Sequence, residues 1–261
     1  LENYTTPTGN LSVSLSMFDC KPEGSGIYLL HRQMQGDALK SRVCAIVMLG
    51  YRNASILIAN RGEVKTREAK TSALGFHKMI GMVQSKTAGL EEQKLIEAIV
   101  AAGDSMRIKD LTVLARSKDS KYRADEVNEI VTAVRESRPQ YFQMLVNWID
   151  SKLPSDVEEI VFCGGTADYL ATDLGKHYGH LELSWNADVA IPDEIDTGGF
   201  GNRIADVLGV FLNFKSKVSL GKPKSQSKKQ EATESTEEFD VKKSVVGDKK
   251  AIDGLAKKGD E

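Results

Sequence analysis

Long hydrophobic runs are missing from this chain. No stretch of about 18 apolar residues occurs, so a membrane-spanning helix is not expected. The first ten residues, LENYTTPTGN, lack both a basic region and an apolar core, so they do not read as a secretory signal. They also lack an initiator methionine, as expected of a processed product or a fragment. Cysteine is scarce. Cys20, Cys44 and Cys163 are odd in number and widely spaced, which argues against a disulfide framework and a zinc knuckle. Cys44 and Cys163 sit in apolar runs and read as buried thiols, and a reducing, cytoplasmic setting fits them best. Histidine is also sparse. His177 and His180 are three apart and could share a helix face, but no cysteine stands close to them and no metal ligand is assigned. Nor is there an excess of positive charge. The last 47 residues carry 12 lysines and 9 acids, while the preceding 214 carry 23 basic and 28 acidic residues, a net of −5. A body of that sign lacks the electrostatic footprint of a nucleic-acid binder.

What is present reads as an alternation of strands and helices, and so as an α/β chain. RVCAIVML (Arg42–Leu49) is a continuous apolar run of the kind that fills a strand buried on both faces. ASILIA (Ala54–Ala59) follows as its hairpin partner across a turn at Gly50–Asn53, and VKTRE is a candidate third strand. Helical spacing then brings together Leu74, Met79, Ile80 and Val83, and next Leu95, Ile96, Ile99 and Val100, with Gly103 as the stop. Val127, Ile130, Val131 and Val134 form another stripe, which Pro139 is expected to end or kink. Phe142, Leu145, Trp148 and Ile149 make a further helix. EEIVFC is a strand, TADYLATDLGKHYG a helix and LELSW a short strand. The last helix is expected to turn Ile204, Val207, Leu208 and Phe211 inward. From about Lys215 the composition is too polar to offset the entropy of ordering, so 215–261 reads as a disordered tail, either merely solvated or an interaction arm.

Two places repeat one pattern: an apolar strand ends in glycine and small polar residues follow. They are IVMLGYRNAS and IVFCGGTADY. In open α/β sheets ligands bind beyond the carboxyl ends of the strands, and glycine lets the backbone approach a ring or phosphate with no Cβ in the way. The N–H groups of the helix that starts after Thr166 would favour a phosphate. A tight turn explains Gly164–Gly165 equally well. A third glycine cluster, Gly198-Gly199-x-Gly201, would cradle a phosphate or cap the following helix, and its local pattern favours the cap.

The order of these pieces resembles the actin-like ATPases, and within them the plasmid-segregation (ParM/StbA-like) type. The resemblance covers about residues 15–214. It runs through CKPEGSGIYLL, RVCAIVMLGYRNASILI, ALGFHKMIGMVQSKTAGLEEQKLIEAI, YRADEVNEIVTAVRESRPQYFQMLVNWI, VFCGGTADYL and NADVAIPDEIDTGGFGNRIADVLGVF in register. It implies an actin-like (ribonuclease H-like) α/β fold. Residues 1–40 would end a first domain, 41–214 would form the second with a helical insertion at about 75–155, and most of the first domain would be absent. It implies ATP and Mg²⁺ as cofactors, self-association into head-to-tail filaments, a DNA-binding adaptor as partner, and a role in plasmid or DNA segregation. No direct nucleic-acid or membrane contact is implied. Carried onto this chain, Gly164, Gly165 and Ala167 would face adenosine, and Gly50 would admit the β- and γ-phosphates. Asn53 stands where the family has threonine, Arg52 would supply positive charge towards phosphate or else be a solvated turn residue, and Gly75 would flank the nucleotide. One departure bears on chemistry: Met48 stands where the phosphate hairpin usually opens with aspartate. No catalytic residue is assigned, and a non-catalytic scaffold of the same fold, or an inactive truncated fragment, is the alternative.

Overall fold

The structure is a computed structural model that describes residues 2–13 and 20–217. It opens with a separate hairpin, β1 (Glu2–Thr6) and β2 (Gly9–Val13). The body is a mixed sheet between two layers of helix. β3 (Val43–Leu49) and β4 (Ala54–Asn60) pair antiparallel as the expected hairpin. β7 (Glu159–Cys163) lies parallel to β3, and β8 (Glu182–Trp185) parallel to β7. On the outer edge of β4, the short β5 (Glu63–Val64) and β6 (Lys70–Ser72) pair with its two ends. The candidate third strand is thus broken by a 3₁₀ turn at Thr66–Glu68.

Successive residues of β3 face opposite layers, because side chains alternate along a strand. Val43, Ala45, Val47 and Leu49 meet the helices that lie between β6 and β7. These are α2 (Phe76–Gln84), α3 (Glu92–Ala102), α4 (Ile108–Leu111) and α5 (Ser120–Asp150). Cys44 and Ile46 face α1 (Ser25–Gln35) and the last helix, α8 (Ala205–Lys217). Burial on both faces accounts for the unbroken apolar run.

α5 continues through Pro139, so the proline does not end the helix. Pro139 and Arg135, whose carbonyl loses its intrahelical partner there, are both exposed, so water can satisfy that carbonyl. The stripes on either side, Val127, Ile130, Val131 and Val134 and then Leu145 and Ile149, are buried in one core. In α3, Val100 is half exposed, and Ala98 and Ala102 take the inner face instead.

α8 departs further from expectation. Leu208 and Leu212 point inward, whereas Val207 (70% exposed) and Phe211 (54%) point to solvent. Close contact with α1 sets this rotation. A Cβ on Gly209 would sit 2.2 Å from the Gly26 carbonyl oxygen, so the glycine face must be the one against α1. α8 continues to Lys217, past the expected onset of disorder at Lys215, and the rest of that tail lies outside the described residues. Among the described residues no helix is long and apolar enough to cross a membrane.

Cys44 and Cys163 are buried, and burial above all pushes both thiols well up. Cys20 is exposed. A disulfide-exchange reagent at pH 8 should therefore label one thiol per folded chain rapidly and all three in denaturant. Fast labelling of two or more in the folded state would contradict this burial.

Candidate functional site at the carboxyl edge of the sheet

β3, β7 and β8 run in the same direction, so their carboxyl ends share one edge, and a loop leaves each of them there. β3 ends at Leu49 and passes into the Gly50–Asn53 turn, where the Gly50 N–H donates to the Asn53 carbonyl at 2.9 Å. Tyr51, Arg52 and Asn53 are exposed at the tip. The start of α2 holds the tip from below. The N–H groups of Gly75, Phe76 and His77 donate to the carbonyls of Arg52 (3.1 Å), Gly50 (3.1 Å) and Tyr51 (2.8 Å). A Cβ on Gly75 would lie 2.2 Å from the Arg52 carbonyl carbon, which explains glycine at that position. Gly75 therefore touches the β3–β4 hairpin from beneath.

β7 ends at Cys163, and Gly164 turns the chain with φ +94° and ψ 158°, a conformation essentially restricted to glycine. A Cβ there would also lie 2.5 Å from the Leu49 carbonyl oxygen. The next residues form the short α6 (Gly165–Tyr169), continued after Leu170 by α7 (Ala171–His177). Thr166 Oγ1 donates to the Gly50 carbonyl at 2.9 Å and ties the two glycine loops together. Gly165 is exposed on the outer rim, while Ala167 is fully buried beneath it in the helical core. The eight residues named from the sequence thus fall into one neighbourhood. Gly50, Arg52, Asn53 and Gly165 are at its surface or partly so, and Gly75, Gly164, Thr166 and Ala167 form its buried floor.

Several residues at this edge escaped the sequence reading. After β8, Asn186, Ala187 and Asp188 take φ of 52°, 55° and 50°, three consecutive left-handed residues. Strain of this kind persists only where neighbours over-determine it. Here the buried Asn186 amide does so: its Oδ1 accepts from the Gly164 N–H at 3.2 Å and its Nδ2 donates to Asp168 at 3.0 Å. Asn186→Ala would leave the Gly164 N–H without its partner, and we expect a loss of about 2 kcal/mol, read as a lower urea midpoint with an unchanged slope. The available signal was an asparagine just after a strand, a residue that tolerates the left-handed region.

Glu23 is the second omission. Ser55, opposite Met48 in the β3–β4 ladder, donates to Glu23 Oε2 at 2.6 Å and lies 3.2 Å from Thr71 Oγ1. The third is Asp206, at the start of α8. It accepts from the N–H groups of Gly24 (3.2 Å), Gly26 (2.7 Å) and Ile27 (3.1 Å), capping α1 from another helix. The fourth is Arg203, whose aliphatic stem passes 3.6 Å from where a Gly165 Cβ would stand. The Gly198–Gly201 loop behaves as a cap: Asp196 accepts from the Phe200 N–H at 2.6 Å and the Gly201 N–H at 2.7 Å.

The charge pattern follows from these placements. After burial, the carboxylates of Asp206, Asp168 and Glu23 are what push the Cys163 thiol up, so three acids surround the carboxyl end of β7. Arg203 and Arg52 lie exposed on the outside. A glycine cradle bordered by carboxylates fits a polyphosphate only when a divalent cation stands between like charges. Carboxylate oxygens are donors of the kind that suit Mg²⁺.

No protein-family model matches the chain, and no curated protein does either. Solved structures do. An archaeal actin homologue, 13% identical, aligns over 76% of this chain and 56% of its own length with a TM-score of 0.50. A non-polymerisable quadruple mutant of pCBH ParM, also 13% identical, aligns over 80% of this chain and 57% of its own at 0.50. The chain thus has the α/β fold of the actin-like ATPases. It spans little more than half the length of the structures that it matches.

Proposed function

We propose that this chain carries the second-domain half of an ATP site in an actin-like protein of the ParM/StbA-like type, and that the full-length protein assembles head to tail into filaments that move or segregate DNA through an adaptor. The observation that carries the reading is the convergence of the Gly50–Asn53 hairpin, the Gly164–Thr166 turn and the Asn186 loop at the carboxyl edge of three parallel strands. In this reading Gly164 and Gly165 admit the adenosine, Gly50 and Asn53 meet the phosphates, and Thr166 and Gly75 hold those loops in place. Arg203 and Arg52 add positive charge at the rim. Mg²⁺, when bound, screens the phosphates and polarises them. Glu23 is the carboxylate beside the hairpin that would orient its hydrating water. Cytoplasmic location belongs to the same reading.

Met48 favours slow hydrolysis, and so gives weight to a second reading as a nucleotide-binding scaffold. Its side chain is partly buried against the α1/α8 layer, and a thioether neither holds Mg²⁺ nor orients water. Phosphoryl transfer depends on positioning and charge compensation, so Met48→Asp, next to Ser55, should raise phosphate release by the full-length protein about tenfold, about 1.4 kcal/mol of barrier. Unchanged release from a variant that binds ATP normally would favour the scaffold. Absence of ATP binding in both proteins would remove the reading altogether.

A further inference from the structure

At the opposite, amino end of the parallel strands lie three side chains that the nucleotide reading leaves without a task. Cys44 is the second residue of β3, Glu159 is the first of β7, and the two are paired in register. His31 reaches them from α1. All three are 1% exposed, and their donor atoms all lie within 4.8 Å of one another. His31 Nε2 approaches Glu159 Oε1 to 2.7 Å, yet that nitrogen makes no aligned hydrogen bond, and Glu159 Oε2 has no hydrogen-bond partner either. Arg42 does not resolve this. Its Nη1 stops 3.9 Å from Oε2 and bonds instead to Glu182 at 2.6 Å. Around the group are Ile46, Leu30, Leu57 and Val161, the apolar layer beneath α1 and α8. A buried carboxylate and imidazole in such a layer are costly unless something compensates them.

A cation would compensate them. The donors are one nitrogen, one sulfur and one oxygen, the borderline-soft set that suits Zn²⁺ rather than Ca²⁺ or Mg²⁺. A thiolate and a carboxylate balance two positive charges, and a neutral imidazole adds none. Donors bound to one tetrahedral zinc stand about 3.3–3.8 Å apart. The His31–Glu159 contact, at 2.7 Å, must therefore open by less than about 1 Å, and Cys44, within 4.8 Å of both partners, must close by no more than about 1.5 Å. We propose that His31, Cys44 and Glu159 form a structural site for a divalent transition-metal ion of the zinc class, which ties α1 to β3 and β7. Water or the second oxygen of Glu159 completes the fourth position. As the ion binds, the Cys44 S–H proton is released to solvent and no electrons are transferred.

The site lies at the far end of the sheet from the glycine loops, and its test does not depend on nucleotide. Full-length protein carrying Cys20→Ser, so that the exposed thiol of this chain does not compete, is stripped with chelator and titrated with Co²⁺. The expected result is a thiolate-to-cobalt charge-transfer band that saturates at one ion per chain, is bleached by Zn²⁺, and comes with a higher melting temperature. Adding Cys44→Ala should abolish the band while circular dichroism shows the fold retained. Glu159→Gln keeps size and shape and should weaken cobalt binding about 100-fold or more. No band in the Cys20→Ser protein would overturn the proposal and leave a buried histidine–glutamate pair. A band that survives Cys44→Ala would also overturn it, by placing the ion elsewhere.

Discussion

Gly26→Ala is expected to destabilise the protein by about 3 kcal/mol or more, because α1 and α8 touch backbone to backbone at this point. A Cβ on Gly26 would sit 1.8 Å from the Asp206 carbonyl oxygen and 2.9 Å from the Val210 nitrogen. Neither is the end of a flexible side chain, so the helices must separate. Separation costs the packing of Ile27, Leu30, Leu208 and Leu212 on the sheet. It also pulls the Asp206 carboxylate away from the three N–H groups at the start of α1. The effect reaches the site, since Glu23 stands two residues before the start of α1 and Arg203 two residues before the start of α8. Urea denaturation measures it, with Gly81→Ala as control. Gly81 is exposed in α2 with nothing within 4 Å of the added methyl, so that variant should gain about 0.5–1 kcal/mol. Equal effects at both positions would contradict the close contact.

The second large effect is on binding. Gly165→Leu should weaken ATP binding by the full-length protein about 100-fold, about 2.7 kcal/mol, while changing stability by less than about 0.5 kcal/mol. The two adjacent glycines differ in what surrounds them. Gly164 has its left-handed backbone and the Leu49 carbonyl 2.5 Å from any Cβ, so replacing it tests folding. Gly165 has an ordinary backbone, is exposed, and offers a new side chain only a van der Waals contact with the Arg203 stem. A leucine there stands on the rim where the nucleotide would lie. Titration with a fluorescent ATP analogue, alongside a melting curve, separates the two effects. Normal ATP binding by the leucine variant would move the nucleotide away from this rim.

The parts of the fold legible in the sequence were those where one local pattern has one physical solution. RVCAIVML and EEIVFC are continuous apolar runs too short for helices, and both are central strands. The turn at Gly50–Asn53 follows from glycine and small polar residues between two such runs. α8 shows where pattern stops deciding. Its sequence carries two apolar stripes, Leu208 with Leu212 and Val207 with Phe211, and helical periodicity cannot choose between them. The contact between Gly26 and Gly209, far apart in the chain, chooses. Pro139 failed as a stop signal because the Arg135 carbonyl that it leaves unbonded lies on the exposed side of the helix, a property of tertiary placement.

The site divides in the same way. The glycines were visible because their conformational need is written into residue type. Asn186, Glu23, Asp206 and Arg203 were not, because each acts on a segment distant in sequence: on Gly164, on Ser55, on α1, and over Gly165. His31 and Glu159 are 128 positions apart, and nothing local to either foretells a 2.7 Å contact.

The proposed function requires an ATP-gated assembly built on the carboxyl edge of this sheet. Sedimentation of the full-length protein with ATP and Mg²⁺, against controls lacking either one, tests it most directly. A pellet is expected only when both are present, and it should be lost in Gly165→Leu while the melting temperature of that variant is unchanged. Protein that stays in the supernatant and binds no ATP would contradict the claim, leaving Gly164 and Gly165 as a turn between a strand and a helix.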